Sequence, residues 1–256
     1  MWLSRGVLPL SLLLLPALLQ AEALRARLEW AHIAELRAFE SGIVGEVLVL
    51  EGQHVKQKQS LLTLDSRDFD IAVQAASAQL KAAQARHDKA RREHGWESEL
   101  YDRGLISDDE LNNAVVALSL AESEVETAQA ALKQAQLALE RSVIRAPFDG
   151  VVVAVRAWNG QALLKTLQSE ALIELAQGSK MVARTRIAAD AVDEYRSGQP
   201  ARVKLDGQWR DGVIYRIGTV SEGVLEQGIA YAVDILFELG EDEVLRPGQF
   251  CMVEFE

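Results

Sequence analysis

Apolar residues follow three different patterns along this chain. In residues 42–64 and 146–175 they form short β-branched runs separated by glycines. Between these stretches they recur at heptad spacing among charged residues, and after residue 179 they alternate with polar residues. Alternation is typical of strands, and heptad spacing is typical of packed helices. The chain therefore predicts two strand-rich stretches separated by a helical insertion, and then a third strand-rich region.

The two strand-rich stretches repeat one pattern. The first starts at Gly42 and has a turn at Gly52, and the second starts at Gly150 and has a turn at Gly160 after the same interval. Glu-Gly or Asn-Gly between apolar runs is a turn signal, because glycine adopts positive φ without steric cost. Neither half can bury its apolar face alone, so we expect the halves to pair into one sandwich whose turns these four glycines hold.

The insertion predicts two helices, over residues 68–103 and 108–141, which consist mostly of strong helix formers. The second carries the alternating three-and-four spacing of a left-handed coiled-coil seam. Its seam positions are Leu111, Ala114, Leu118, Ala121, Val125, Ala128, Leu132, Ala135 and Leu139. The first offers two lines, one through Val73, Ala76, Leu80, Ala83, His87, Ala90 and His94 and one through Ile71, Ala75, Ala78, Ala82 and Ala85. Two such helices form an antiparallel hairpin roughly 50 Å long.

The connection between the helices carries end signals on both sides. Gly104 suits the left-handed residue that ends the first helix. Ser107 and Glu110 have the spacing of a capping box, which starts the second. Gly95 lies inside the first helix, and because glycine is a weak helix former we expect a kink or local loosening there.

The region after residue 179 predicts several short strands in a compact barrel. Tyr231, Val233, Ile235 and Phe237 lie on one face of a strand, and Ala230, Ala232, Asp234 and Leu236 lie on the other. Residues 190–196 predict a short helix capped by Asp190. Asp206-Gly207 and Pro247-Gly248 predict turns.

Composition narrows the functional classes. The 256 residues carry a net charge of −11, which argues against nucleic acid as a partner because phosphate binding needs a basic surface. Residues 1–23 have a basic start, an apolar run and an Ala-x-Ala end, as in a secretory signal peptide. We expect cleavage after Ala23, with Ala21 as second choice and a retained membrane anchor as the alternative. With Cys251 alone, the chain has no internal disulfide.

Clusters with catalytic or metal-binding potential are weak. His87 and His94 lie seven residues apart without a third ligand, so we interpret them as solvated or packed in the seam. Asp65, Asp68 and Asp70 complement the dipole of the first helix. The acidic group Glu238, Glu241, Asp242 and Glu243 is interpreted as a solvated connection. We expect no catalytic residues, no metal and no cofactor, and hence no enzyme.

Three segments resemble the periplasmic adaptor family, also called membrane fusion or HlyD-like proteins. They are residues 144–151 (IRAPFDGV), 197–203 (SGQPARV) and 245–250 (LRPGQF). The resemblance implies an elongated α+β fold in which a helical hairpin interrupts a lipoyl-like β-sandwich and a small β-barrel follows. The implied bounds are 24–65 for the first barrel and lipoyl strands, 66–143 for the hairpin, 144–178 for the second half-motif and 179–256 for the barrel.

The resemblance also implies a function. Such proteins join an inner-membrane transporter, of RND or ABC type, to an outer-membrane channel through a periplasmic ring, hexameric by resemblance. Leu100 and Ser107 fill two of three positions of the family's channel-docking motif, but Trp96 stands where arginine is expected. Arg92 or Arg103 could substitute. For Ser107 plain helix capping is the alternative to docking, and for Leu100 it is packing at the tip.

Two other classes stay open. One is an exported coiled-coil scaffold that binds a surface partner without a transporter. The other is a lipoyl or biotinyl carrier, but the turn that would present its lysine is replaced here by the hairpin. Pump-docking members of the family often carry a membrane-proximal domain after the barrel, and we expect that domain to be absent or vestigial because the last barrel strand ends near Glu256.

Overall fold

The computed structural model describes residues 23–164, 170–225, 228–240 and 245–255. These divide into two compact units. Trp30–Ser179 holds a β-sandwich with a helical hairpin, and residues 23–29 join the described part of Lys180–Glu256 in a β-barrel. The expected signal segment and most of the acidic group at 238–243 lie outside the described residues.

The strands and helices follow one another in the predicted order. Those up to the end of the hairpin are β1 (Leu24–Trp30), β2 (Ile33–Leu36), β3 (Gly42–Val47), β4 (His54–Val55), β5 (Ser60–Leu64), α1 (Arg67–Asp102) and α2 (Asp108–Arg141). Those that follow are β6 (Val143–Arg145), β7 (Gly150–Val155), β8 (Ala162–Leu163), β9 (Ile173–Gln177), β10 (Lys180–Ala188), β11 (Pro200–Leu205), β12 (Gln208–Leu225), β13 (Gly228–Glu238) and β14 (Phe250–Phe255). The α+β fold is confirmed: a hairpin interrupts a sandwich, and a barrel follows.

The sandwich is built by exchange of strands between the two halves. One sheet has the order β2-β9-β7-β4 and the other β6-β5-β3-β8. The two orders correspond strand by strand. Exchanging β2 with β6, β3 with β7, β4 with β8 and β5 with β9 converts the first order into the second. Each half therefore gives its short strand to the other half's sheet, β4 to β7 and β8 to β3. The repeat seen in the sequence is an internal pseudo-twofold symmetry.

Backbone hydrogen bonds tie each turn to the central strand of the opposite half. In both directions the amide of a turn glycine donates to a buried valine, and the valine amide donates to the glutamine that follows the glycine. The donor–acceptor pairs are Gly52–Val152 at 2.8 Å, Val152–Gln53 at 2.9 Å, Gly160–Val44 at 2.8 Å and Val44–Gln161 at 2.8 Å. The valines lie in one apolar core with residues of both halves.

Only two of the four glycines expected at turns lie in them. Gly52 and Gly160 have positive φ, at 80° and 83°, but Gly42 and Gly150 begin β3 and β7, so the expectation was wrong for those two. At Gly150 the reason for glycine is close approach of two strands. A Cβ atom there would overlap the carbonyl oxygen of Ala176 on β9.

Replacing Gly150 should therefore be more damaging than replacing a turn glycine. We expect Gly150→Ala to lower the free energy of unfolding by about 3 kcal/mol, because β7 and β9 must separate to admit the methyl group. Gly52→Ala is the control, since a Cβ there meets no atom within 4 Å and costs about 1–2 kcal/mol of backbone strain alone. Urea unfolding followed by circular dichroism measures both, and equal losses would contradict the close-approach interpretation.

One turn type recurs five times among the residues that the structure describes. In each, a glutamine and the residue three positions before it form two hydrogen bonds. The backbone amide of the glutamine donates to the carbonyl of the earlier residue, and the side-chain oxygen of the glutamine accepts from the backbone amide of the earlier residue. The glutamines are Gln53, Gln59, Gln161, Gln199 and Gln249. Four are preceded by glycines with φ between 80° and 90°, as at the third position of a type II turn. The exception is Lys58, which adopts φ of 67°.

Lys58 is consequently a site where glycine should stabilise the protein. We expect Lys58→Gly to raise the free energy of unfolding by about 1 kcal/mol, because it relieves a left-handed conformation that L-residues disfavour. Lys58→Ala is the matched control, since it removes the same side chain but keeps the strain. Thermal unfolding of both variants checks this, and equal behaviour of the two would argue against strain at this turn.

The hairpin packs along the predicted seam. All nine seam positions of α2 are buried or half-buried, and so is the α1 line through Val73 and Ala83. The alternative line through Ile71 is exposed and was not the packing face. Arg86 on α1 donates to Glu124 on α2 at 2.7 Å across the exposed edge. Gly95 lies inside one continuous helix, which runs from residue 67 to residue 102.

The barrel closes in the order β1-β10-β13-β12-β11-β14. Val233, Ile235 and Phe237 point into its core, as the alternation predicted. Asp206 and Gly207, both with positive φ, form the predicted turn between β11 and β12. The helix expected at residues 190–196 is only a 3-10 turn at Val192–Glu194, and Asp190 does not cap it. Only eleven residues, 189–199, separate β10 from β11, and nucleation disfavours helices this short.

A buried carboxylate links three barrel strands. Asp234 on β13 accepts from Arg184 on β10 at 2.7 and 3.1 Å and from Arg216 on β12 at 2.9 Å. Arg184 also pairs with Glu29 on β1 at 2.8 Å. The hydrogen bonds to Asp234 raise the pKa of Arg184, so the group stays charged at every accessible pH. Because both partners of the buried charge are present, the network is satisfied.

Candidate functional site: the hairpin tip

The first helix ends in a Schellman motif. The amide of Gly104 donates to the Tyr101 carbonyl at 2.8 Å, and the amide of Leu105 donates to the Leu100 carbonyl at 3.0 Å. This pair of bonds requires a left-handed residue after the helix, and Gly104 has φ of 69°. The predicted end signal therefore forms as expected. It turns the chain sharply towards α2.

The second helix starts with a complete capping box. The Glu110 amide donates to the Ser107 Oγ at 3.3 Å, and the Ser107 amide donates to Glu110 Oε2 at 2.8 Å. The Ser107 hydroxyl also donates to Glu110 Oε2 at 2.9 Å. These bonds, first of all the one from the Ser107 amide, hold the pKa of Glu110 below its ordinary value. The Ser107 hydroxyl is thus already engaged within its own helix.

A tyrosine and an aspartate join the two helices across the tip. The Tyr101 hydroxyl is hydrogen-bonded to Asp108, and this bond and the carboxylate charge raise the pKa of Tyr101. Tyr101 therefore stays a neutral donor at physiological pH. The Asp108 carboxylate of α2 thus lies beside the Tyr101 hydroxyl of α1.

The tip exposes large apolar side chains. Trp96 is 70% exposed and Leu105 is 66% exposed. Leu100, which lies between them in the sequence, is half-buried. Arg103 is exposed, and so is Arg92 one turn before Trp96. Large exposed apolar side chains grouped at one end of an element mark an interaction surface more often than a solvated one.

Leu105 was missed by sequence reasoning, although its signal was present. The connection Gly104-Leu105-Ile106 contains two large apolar residues where polar turn residues are common. Ile106 is half-buried between the helix ends, whereas Leu105 points outward. Of the predicted tip residues, Arg103 is free to contact a partner through its side chain, and Leu100 and Ser107 also shape the tip itself.

The other clusters have structural explanations. His87 is half-buried in the seam, with Nε2 4.0 Å from Glu122 on the opposite helix. Asp65 is paired with Arg67, whose side-chain hydrogen bonds lower the Asp65 pKa to about 2. Within the described ranges, no group of three or more histidine, cysteine or acidic side chains could hold a metal ion.

Comparison with known proteins places the fold. Residues 32–176, which cover the sandwich and the hairpin, match the CzcB-like barrel-sandwich hybrid domain. The chain belongs to this family. Membrane fusion protein MtrC of Neisseria gonorrhoeae is 34% identical over 200 residues, covering 77% of this chain and 48% of that protein. The chain thus spans about half the length of that curated relative, and the expected resemblance to membrane fusion proteins is confirmed.

Solved structures show the same fold as this barrel-sandwich hybrid protein. The membrane fusion protein Spr0693 from Streptococcus pneumoniae R6 aligns over 92% of this chain and 98% of its own, with a TM-score of 0.72 at 17% identity. A MacA-MexA chimera containing the Pseudomonas aeruginosa MexA α-hairpin domain aligns over 92% of this chain and 78% of its own, with a TM-score of 0.69 at 21% identity. At these identities the likeness is one of fold alone.

No helix in the described part of this barrel-sandwich hybrid protein combines the length and apolar character needed to cross a bilayer.

Removing the cap should destabilise the tip without unfolding the protein. We expect Ser107→Ala to lower hairpin stability by about 1 kcal/mol, since the α2 amides lose their acceptor. Ser107→Thr keeps the hydroxyl and should behave as the parent. Thermal unfolding at 222 nm measures both. A loss shared by the threonine variant would show that the serine acts through something other than capping.

Proposed function

We propose that this protein is the periplasmic adaptor of a tripartite efflux or secretion system. In this role it is not an enzyme. It is exported by a cleavable signal peptide, assembles into a ring that is hexameric by family resemblance, and is held at the inner membrane by a transporter of RND or ABC type. Its hairpins reach an outer-membrane channel. Membership of the barrel-sandwich hybrid family and likeness to membrane fusion proteins support this proposal.

The observation that carries the proposal is a hairpin fixed at both ends. At the base, the Leu64 amide donates to the Ser142 carbonyl at 2.8 Å, so the chain enters and leaves the hairpin at one point of the sandwich. At the other end the Schellman motif and the capping box close the tip. A rod held in this way transmits position from its base to its tip, which is what an adaptor between two membrane partners requires.

Exposed side chains along α2 support assembly into a ring. Apolar residues outside the seam are exposed to solvent in the single chain, namely Val115, Val116, Leu120 and Leu137. The seam itself buries only alanines fully, at Ala114 and Ala121. The hairpin therefore leaves apolar surface that neighbouring hairpins would cover in a ring.

The sandwich offers a second surface of the same kind. Leu50 and Trp158 occupy equivalent positions in the two pseudo-symmetric turns, and they are 77% and 63% exposed. An apolar side chain two residues before each turn glycine is conspicuous, since turns are usually polar. Two equivalent apolar points on one sandwich fit the repeated contacts of a ring.

Cysteine crosslinking in cells tests the contact of the tip with a channel. Arg103→Cys and Leu105→Cys place a thiol at the tip and leave the Ser107 cap intact. We expect both to trap one outer-membrane protein when a crosslinker with a maleimide at one end and a photoreactive diazirine at the other is added and irradiated, since the diazirine inserts into whatever side chain it touches. Ala82→Cys, exposed halfway along α1, is the control and should give no such product.

The native thiol does not interfere with this experiment. Cys251 is buried in the barrel, and burial raises its pKa to about 11. It therefore stays protonated and unreactive near neutral pH. If the tip variants are exported in normal amount but trap no outer-membrane protein, the proposed docking is wrong.

A further inference from the structure

A cavity of about 530 Å³ opens on the outer face of the barrel. Alternation along β1 directs Arg25, Arg27 and Glu29 outward, while the residues between them are buried. On the neighbouring β10, Arg184 and Arg186 point the same way. Four guanidinium groups therefore line one cavity in a chain whose net charge is −11.

One of these four arginines is already neutralised. Arg184 is bound to buried Asp234 and to Glu29, and Arg216 supplies the second positive charge of that network. Two positive and two negative charges cancel there. The other three arginines form no ion pair with any carboxylate in the described part of the chain. Glu222 is the one remaining acid among the described residues that line the cavity, which leaves a surplus of two positive charges.

The three unpaired guanidinium groups are supported by other means. Arg25 stacks over the ring of Phe250, 4.9 Å from its centroid. Arg27 lies against Gly248, where a Cβ atom would be 3.3 Å from its Nη2 atom. Arg186 lies against Gly223, where a Cβ atom would be 3.5 Å from its Nη1 atom. The two glycines thus leave room for Arg27 and Arg186, and the Phe250 ring attracts the charge of Arg25.

The arrangement matches the chemistry of a phosphate monoester. Guanidinium groups present paired donors that fit phosphate oxygens, and such charge-assisted bonds are strong. A monoester carries close to two negative charges at neutral pH, which equals the surplus in the cavity. Phe250 is 69% exposed beside the cavity and offers an apolar surface to the organic part of such a ligand.

We propose that this cavity, lined by Arg25, Arg27 and Arg186, is a binding site for a phosphate monoester group. The group could belong to a soluble phosphate ester or to a lipid headgroup. The site is independent of the hairpin tip, so failure of channel crosslinking does not bear on it.

Binding measurements on the purified full chain test this site. Inorganic phosphate is titrated by calorimetry, and vesicles of phosphatidylcholine with or without phosphatidic acid are tested by co-sedimentation. We expect saturable binding that weakens as ionic strength rises. Binding of inorganic phosphate supports a soluble ligand. Binding only to vesicles with phosphatidic acid supports a lipid headgroup.

Matched variants identify the cavity as the site. Arg25→Gln/Arg186→Gln should weaken binding about tenfold or more, because two charge-assisted contacts are lost. Lys81→Gln/Arg91→Gln removes the same charge from exposed positions of α1 and should bind like the parent. Glu222→Gln should bind more tightly than the parent, a gain that misfolding cannot produce.

Two results would overturn the proposal. One is absence of binding to both phosphate and phosphatidic acid vesicles by the parent chain. The other is equal binding by the parent and the Arg25→Gln/Arg186→Gln variant, with circular dichroism showing that both are folded.

Discussion

The exchange of short strands between the two halves is the interaction on which the hairpin-bearing unit depends. Val44 and Val152 each sit in the core and exchange backbone hydrogen bonds with the turn of the opposite half. Neither sheet is complete until both halves are present. The residues inserted between the halves must therefore begin and end at the same place, and a helical hairpin meets this condition.

The hairpin has little core to stabilise it. The fully buried residues are Ala76 and Ala83 in α1 and Ala114 and Ala121 in α2. Methyl groups bury little apolar area, so hydrophobic stabilisation along the rod is small. Its geometry is instead set at its ends, by strand pairing at the base and by backbone and capping bonds at the tip. The side chains along the rod remain available to neighbours.

The residues proposed for contact differ for the most part from those that hold the fold. The turn glycines and buried valines hold the sandwich. The proposed contact residues Leu105 and Arg103 lie beside the Schellman motif, where the backbone is already satisfied. In the barrel, Arg184 forms an ion pair with the buried Asp234, whereas Arg25 and Arg186 remain available to bind a ligand. The hairpin tip and the barrel cavity share one feature: the backbone or buried charge that holds the fold has its partners, while neighbouring side chains remain available for contact.

Local signals were sufficient for the hairpin and for most turns. The heptads of α2, the left-handed Gly104 and the Ser107–Glu110 box depend on residues close in sequence, so the sequence by itself determined them. Pairing between distant strands decided the rest. Position 150 requires glycine because β9 approaches it closely. Ile71 is exposed because α2 packs against the other face of α1. Arg25 and Arg186 line the same cavity only because β1 closes the barrel beside β10. Such contacts join residues far apart in the chain, and no local pattern encodes them.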